Sequence, residues 1–244
     1  MYSFNYLKPG SIKEAESLLS GSDDNKVISG GMTLLPTLKQ RLARIDNLIG
    51  LEKCGLDKIV LREGLLNIGA MVTHFDVSNS ALVKTENPAI AQLASHIGDR
   101  QVRNRGTIGG SLANNDPSAC YPAAILAMSG TIHTTKRDIK AENFFVDLFE
   151  TALEEDEIIT SVSLPKPERA AYEKFPNPAS RYAIVGIFVA KFDSEVRVAV
   201  TGAGEEGVFR CQQIETALSA KFLPESLSEI NISAAGLMSD IHAE

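Results

Sequence analysis

Along the first third of the chain, short apolar runs alternate with stretches whose apolar residues recur at helical spacing. Residues 11–20 (SIKEAESLLS) open with Ser-x-x-Glu. In this capping pattern the hydroxyl and the carboxylate satisfy backbone donors that a first helical turn leaves free, so a helix is predicted. Residues 26–29 (KVIS) read as a buried strand. After Gly30-Gly31, LLPTLKQRLA sets Leu34, Leu35, Leu38 and Leu42 at helical spacing, and LIGL (48–51) returns to a strand pattern. The unit is strand, glycine turn, helix, strand. Residues 58–73 are two apolar runs around Arg62-Glu63-Gly64, the signature of a hairpin.

Two helical stretches, HFDVSNSALV and NPAIAQLASHIG, precede RNRGTIGGSLANNDPSACYPAAILAM (103–128). Its first half reads as loop and its second half as a helix beginning between Ala119 and Pro122. TIHTTKRDIKAENFFV alternates like strands, and EDEIITSVSLP (155–165) reads as another. The Pro-rich, charged stretch at 165–178 is the best domain boundary. Beyond it, RYAIVGIFVAKFDSEVRVAVTGAG predicts two strands, or a helix and a strand, and CQQIETALSA a helix. No internal repeat or low-complexity tract interrupts the pattern.

Composition narrows the function classes. The 244 residues are 44% hydrophobic and 23% charged, ordinary for a folded globular chain and long enough for one large or two modest domains. A net charge of −7 repels polyphosphate backbones and acidic lipid surfaces, so nucleic acid is excluded as a partner on this basis. There is no run of about 18 apolar residues and no charged-then-apolar leader pattern, so a membrane span is not predicted and the cytoplasm is the expected compartment. Cys54, Cys120 and Cys211 lie more than fifty residues apart, offer no CxxC pair and read as free thiols. Without Trp, and with 6% aromatic residues, a base-stacking surface is poorly supported.

Three glycine segments could carry chemistry. In SGGMTLLP (29–36) a buried strand runs through two glycines into a helix, and such a turn aims backbone N–H groups at a ligand and suits a pyrophosphate. GTIGGSLANNDP (106–117) is denser, with Gly106, Gly109 and Gly110 among hydroxyl and amide side chains, a composition fit for a flat ring system or phosphates. GAGEEG (202–207) matches GxGxxG literally, but Glu205 and Glu206 would stand where a pyrophosphate should lie, and it reads as a turn. His74, His96, His133 and His242 show no HExxH or paired ligand spacing, and there is no GxSxG elbow. His96 and Asp99 read as a helix face and a loop rather than metal ligands. Arg100, Arg103 and Arg105 form either a solvated face, a partner surface or a contact to the same ligand's phosphates.

Together the first two segments resemble the FAD-binding medium subunits of the molybdenum hydroxylases, the group of xanthine dehydrogenase and aerobic carbon monoxide dehydrogenase. SGGMTLLP is similar to the family's AGGxSLxP motif, and HIGDRQVRNRGTIGGSLANNDPSACYPAAILAM to its second flavin motif, closest to the carbon monoxide dehydrogenase-like branch. AYEKFPNPASRYAIVG and VRVAVTGAG look like the same branch. The resemblance implies an α+β chain: an FAD-binding domain of the vanillyl-alcohol oxidase type over 1–168, in two α/β subdomains (about 1–55 and 56–168), then a small α+β domain over 169–244. It implies non-covalent FAD, with Ser29, Gly30, Gly31, Met32 and Thr33 around the pyrophosphate and Thr107, Ile108, Gly109 and Gly110 facing it from the second loop. Asn114 and Asp116 would lie beside the cofactor, Ile159 near the flavin, Lys174 at its polar edge and Tyr182 against the isoalloxazine ring.

The resemblance also implies partners: a molybdopterin-binding large subunit and a small subunit with iron–sulfur clusters, assembled as a dimer of heterotrimers. Electrons would pass from those clusters through FAD to a terminal acceptor. The chain departs from the family at Cys120, where members commonly carry an aspartate that serves the cofactor, and at its end, SDIHAE, short of an expected final helix. A flavin-free assembly subunit and a stand-alone flavin oxidase of the same fold are the alternatives.

Overall fold

The computed structural model describes residues 1–193 and 195–239; the closing SDIHAE and its His242 fall almost wholly outside them. The chain opens with strand β1 (Asn5–Leu7), helix α1 (Ile12–Leu19), β2 (Asn25–Ile28), α2 (Leu34–Lys39) and β3 (Asn47–Gly50). The Ser11 hydroxyl caps α1 by accepting the Glu14 amide at 3.2 Å, while the Glu14 carboxylate accepts Gly10 N–H at 2.7 Å, one residue upstream of the usual capping box. Helix α2 ends three residues before Leu42, because Arg41 turns left-handed (φ 59°), and Leu42 is exposed. The three strands form a parallel sheet in the order β1-β3-β2. Successive residues of β3 serve opposite faces: Leu48 packs under α2 with Ile28 and Leu38, Ile49 under α1 with Ala15 and Leu19.

Strands β4 (Ile59–Arg62) and β5 (Leu65–Gly69) form the predicted hairpin, with Glu63 and Gly64 both at positive φ as its two-residue turn requires. Helices α3 (His74–Asn79), α4 (Ala81–Glu86), α5 (Pro88–Ser95), α6 (Arg100–Arg105), α7 (Ile108–Asn114) and α8 (Cys120–Ala127) follow. The stretch predicted as one helix at 74–83 is two, broken at Ser80, whose hydroxyl caps α4. The predicted loop before Cys120 is likewise helical at α6 and α7, capped by Asp99 and Thr107. All eight residues of α8 are buried, which marks it as the central helix. Strands β6 (Thr131–Thr134) and β7 (Asp138–Lys140), the ribbon β8 (Phe145–Asp147) and β9 (Glu150–Thr151), and β10 (Ile159–Leu164) complete this part. The second sheet has the antiparallel order β4-β5-β10-β6-β7.

The chain crosses to a third sheet at Pro165–Glu168. The stretch read as a domain boundary also holds a strand, β11 (Arg169–Pro176), which pairs with β12 (Ala183–Lys191), then β13 (Val196–Thr201) and β14 (Phe209–Arg210). Helix α9 (Gln212–Ala220) covers one face, packed on Val196, Val198 and Val200, while Ala199 joins the cluster around α8 on the other. Arg197 also points to the α8 face, where its guanidinium donates to the Leu126 and Ala127 carbonyls (both 3.1 Å) and pairs with Glu142. GAGEEG is a turn, with Gly202 and Gly207 left-handed. Among the described residues no helix is long and apolar enough to cross a membrane.

Candidate functional site

The two glycine loops meet. β2 ends at Ile28, Gly31 turns left-handed (φ 71°), and the chain enters α2 through Met32 and Thr33. Opposite, α6 ends at Arg105, and Thr107 caps α7 by accepting Gly110 N–H at 3.1 Å. The Ser29 and Thr107 hydroxyls are hydrogen-bonded across the junction at 3.0 Å. A Cβ on Gly30 would stand 2.1 Å from the Arg105 carbonyl oxygen, one on Gly109 2.7 Å from the Ala70 carbonyl oxygen, and one on Gly110 2.6 Å from Ser29 Oγ. These glycines let one loop close on the other and on Ala70, just after β5.

Above the junction opens a cleft of about 740 Å³, within the range of ligand sites of ~300–1,000 Å³. Among the described residues the backbone N–H groups of Gly30, Gly31, Met32 and Thr33 have no protein acceptor. Successive amides around a left-handed glycine form a concavity for an anion. The second loop differs, because its amides are already engaged: Ile108 donates to Val72 O (3.1 Å), Gly109 to Ala70 O (2.9 Å) and Gly110 to Thr107. What it offers the cleft is small side chains and polar groups, including Thr107, Ser111 and Asn114.

Asn115 turns left-handed (φ 40°) and is held by its amide to the carbonyls of Asp147 (2.9 Å) and Glu150 (2.8 Å), which leaves Asn114 and Asp116 on the cleft side. Burial pushes the Asp116 carboxyl above its ordinary range, opposed by the Ser118 amide 2.9 Å from Oδ1. Ile158 and Ile159 form an apolar wall where β10 enters its sheet, and the third sheet contributes Lys174 and Tyr182 at the mouth. Burial, then Asp116 and Cys120, raise the Tyr182 phenol. Cys120, buried at the first turn of α8, lies 3.6 Å from Lys174 Nζ and against the Tyr172 hydroxyl, which has no hydrogen-bond partner.

Every site residue named from the sequence lines this cleft except Ile108, whose side chain is fully buried in the core. Arg100, Arg103 and Arg105 do not line it; Arg103 instead ties the Ile97 and Gly98 carbonyls. Sequence reasoning missed His74, which lines the cleft beneath Gly106 with its Nδ1 buried and unpartnered. Burial, and then Arg103, lower its pKa to about 4, so the ring is neutral. No spacing in the sequence marks it, because it meets Gly106 and Tyr121 only through the fold. His96 ends α5 and Asp99 caps α6, and among the described residues no cluster of three or more His, Cys, Asp or Glu could hold a metal.

A strip of unengaged amides, a facing wall of small polar residues and an apolar far wall make a site for an extended ligand with a phosphate and a flat apolar part. Comparison with known proteins agrees with that chemistry. Residues 2–167 match the family model described as the FAD-binding domain in molybdopterin dehydrogenase. The nicotine 6-hydroxylase medium subunit of Paenarthrobacter nicotinovorans is 35% identical over 97% of this chain and 89% of its own length. Carbon monoxide dehydrogenase from Hydrogenophaga pseudoflava, in a form lacking the Mo-pyranopterin moiety of its molybdenum cofactor, superposes with a TM-score of 0.86 at 32% identity, covering 93% of this chain and 84% of that one. Quinoline 2-oxidoreductase from Pseudomonas putida 86 does so with a TM-score of 0.87 at 28% identity, covering 99% and 90%. With the family model spanning both glycine loops and whole-chain relatives above 30% identity, this chain belongs to the FAD-binding family of the molybdopterin dehydrogenases.

Proposed function

We propose that the cleft holds FAD without a covalent bond and that the chain is the medium subunit of a heteromeric molybdenum hydroxylase, relaying electrons from partner iron–sulfur clusters to a terminal acceptor. The observation that carries this reading is the run of unpartnered amides from Gly30 to Thr33 lining a family-matched cleft. When bound, FAD supplies the redox chemistry, taking up electrons and releasing them to the acceptor. The chain's own residues bind and orient. Ser29 to Thr33 hold the pyrophosphate through backbone donors, Thr107, Gly109 and Gly110 line the cleft opposite that loop, and Asn114 and Asp116 present polar groups beside it. Cys120 offers a weak acceptor, Ile159 excludes water from the ring's side, and Tyr182 stands as the ring's neighbour at the mouth.

The substrate is oxidised on a molybdopterin-binding large subunit, and the small subunit brings the iron–sulfur clusters; the assembly is a dimer of heterotrimers. Three unpaired thiols favour the reducing cytoplasm. The changes of sheet at 51–58 and 165–168 support units of 1–55, 56–168 and 169–244.

Titrating FAD into the purified full chain, followed by flavin fluorescence, tests the reading: one equivalent binds, and denaturation releases all the colour into the supernatant. Colour retained on the precipitated chain refutes the non-covalent site. A complex that copurifies with its two partner subunits yet never contains flavin refutes the function.

A further inference from the structure

Tyr182 stands at the tip of the hairpin joining β11 to β12, and that tip is shaped by its own sequence. The Asn177 side-chain oxygen accepts the amides of Ala179 (2.9 Å) and Ser180 (3.1 Å), Asn177 N–H donates to Tyr182 O and Arg181 N–H to Asn177 O (both 2.8 Å). Arg181 adopts a left-handed φ of 63° to close the turn. Among the described residues, every hydrogen bond of residues 177–182 stays within residues 174–182. Tyr182 itself is 49% exposed and lies outside the buried core clusters. The tip is ordered internally and tied down at few points.

Among the described residues, one side chain hydrogen-bonds it to the rest of the cleft. Lys174 Nζ donates to Arg181 O at 3.0 Å inside the tip and to His96 O at 2.5 Å, and lies 3.6 Å from Cys120 Sγ. His96 is the C-cap of α5, where helix carbonyls lack intrahelical partners and a lysine is favoured. Lysine has three N–H donors, and here they meet three acceptors: the tip, the end of α5 and the start of α8. We propose that Lys174 is a positioning residue, clamping the Tyr182 hairpin onto α5 and α8 and so fixing the tyrosine at the mouth of the cleft. Its consequence for electron transfer rests on the FAD reading above; the clamp itself does not.

The test uses Lys174→Met, which keeps the length and removes the donors, and Lys174→Arg, which keeps donors. In the full chain without cofactor, amide hydrogen exchange at Ala179, Ser180 and Arg181 becomes about tenfold faster in the methionine variant and returns toward the native rate in the arginine variant. In the complex loaded with FAD, Lys174→Met shifts flavin fluorescence and the rate of re-oxidation by ferricyanide in the same direction as Tyr182→Ala. The double variant adds nothing to Tyr182→Ala alone. Unchanged exchange in Lys174→Met, exchange in Lys174→Arg as fast as in methionine, or multiplicative effects in the double variant overturn the clamp. A tenfold loss of FAD affinity with native exchange at the tip would make Lys174 a direct ligand instead. Were the native chain to bind no FAD, the exchange measurements would still decide the clamp.

Discussion

Gly30 and Gly110 look alike in the sequence and differ in what surrounds them. A Cβ at Gly30 meets backbone, the Arg105 carbonyl oxygen at 2.1 Å, and backbone can yield only by separating the two loops. At Gly110 the nearest atom is Ser29 Oγ, which a side-chain rotation removes at the expense of its bond to Thr107. Gly30→Ala is therefore expected to lower stability by about 1–3 kcal/mol, as overpacking does, and to weaken FAD binding at least about tenfold. Gly110→Ala loses one hydrogen bond, about 1 kcal/mol, and keeps FAD affinity within a few-fold. Urea midpoints and FAD titrations of both variants check the order. Equal affinities would mean that apposition of the loops does not shape the site.

His74 gives the residue scale its pH dependence. Folded, its pKa sits at about 4, against 6.5 when unfolded, so between those values the unfolded chain binds the extra proton. Stability therefore rises as pH climbs from about 4 to 6.5 and is lost as pH falls through that window, by about 3 kcal/mol in all. Urea unfolding of the full chain at pH 5 and 7 should show this slope, and His74→Gln should flatten it. Identical slopes in the two proteins would remove His74 as its source.

At the scale of elements, what could be read from the sequence is what local chemistry decides. Ser11 with Glu14 announced α1, and Glu63-Gly64 announced a hairpin because both residues take positive φ. α7 was hidden for a physical reason. Gly109 and Gly110 each cost a helix about 1 kcal/mol, so IGGSLAN reads as loop. Tertiary contact overrides that propensity, because without a Cβ at Gly109 its amide reaches Ala70 O and fixes the first turn of α7 against β5. The same holds for β11: PKPERAAYEKFPNP is Pro-rich and charged, yet Arg169 to Pro176 pair along β12. Buried Tyr172 is the inward residue that its alternating pattern supplied. The candidate site was legible as two glycine loops. That the first offers free amides while the second consumes its own depends on β5 lying beside α7, and no local signal carries that.

At the scale of the molecule, the second and third sheets share interior. The largest cluster of buried residues runs from Leu66 in β5 through Tyr121 and Ile125 in α8 to Tyr172, Phe188 and Ala199 in the third sheet. Arg197 caps the α8 carbonyls, and the Thr201 hydroxyl lies 2.9 Å from Pro117 O and 2.7 Å from Ala119 O, so the third sheet also holds the segment between Asp116 and Cys120 in place. A ligand bound in the cleft touches the parallel sheet, the second loop and the Tyr182 hairpin at once. Its binding energy should therefore stabilise the folding unit as a whole rather than one part of it. With FAD at a hundredfold excess over its dissociation constant the gain is about 2.7 kcal/mol, which for a chain of this size raises the melting temperature by about 5–10 °C. Scanning calorimetry of the full chain should show one transition that moves intact when FAD is added. Two resolved transitions, only one of them displaced by FAD, would mean that the cluster around α8 does not couple the third sheet to the cofactor cleft.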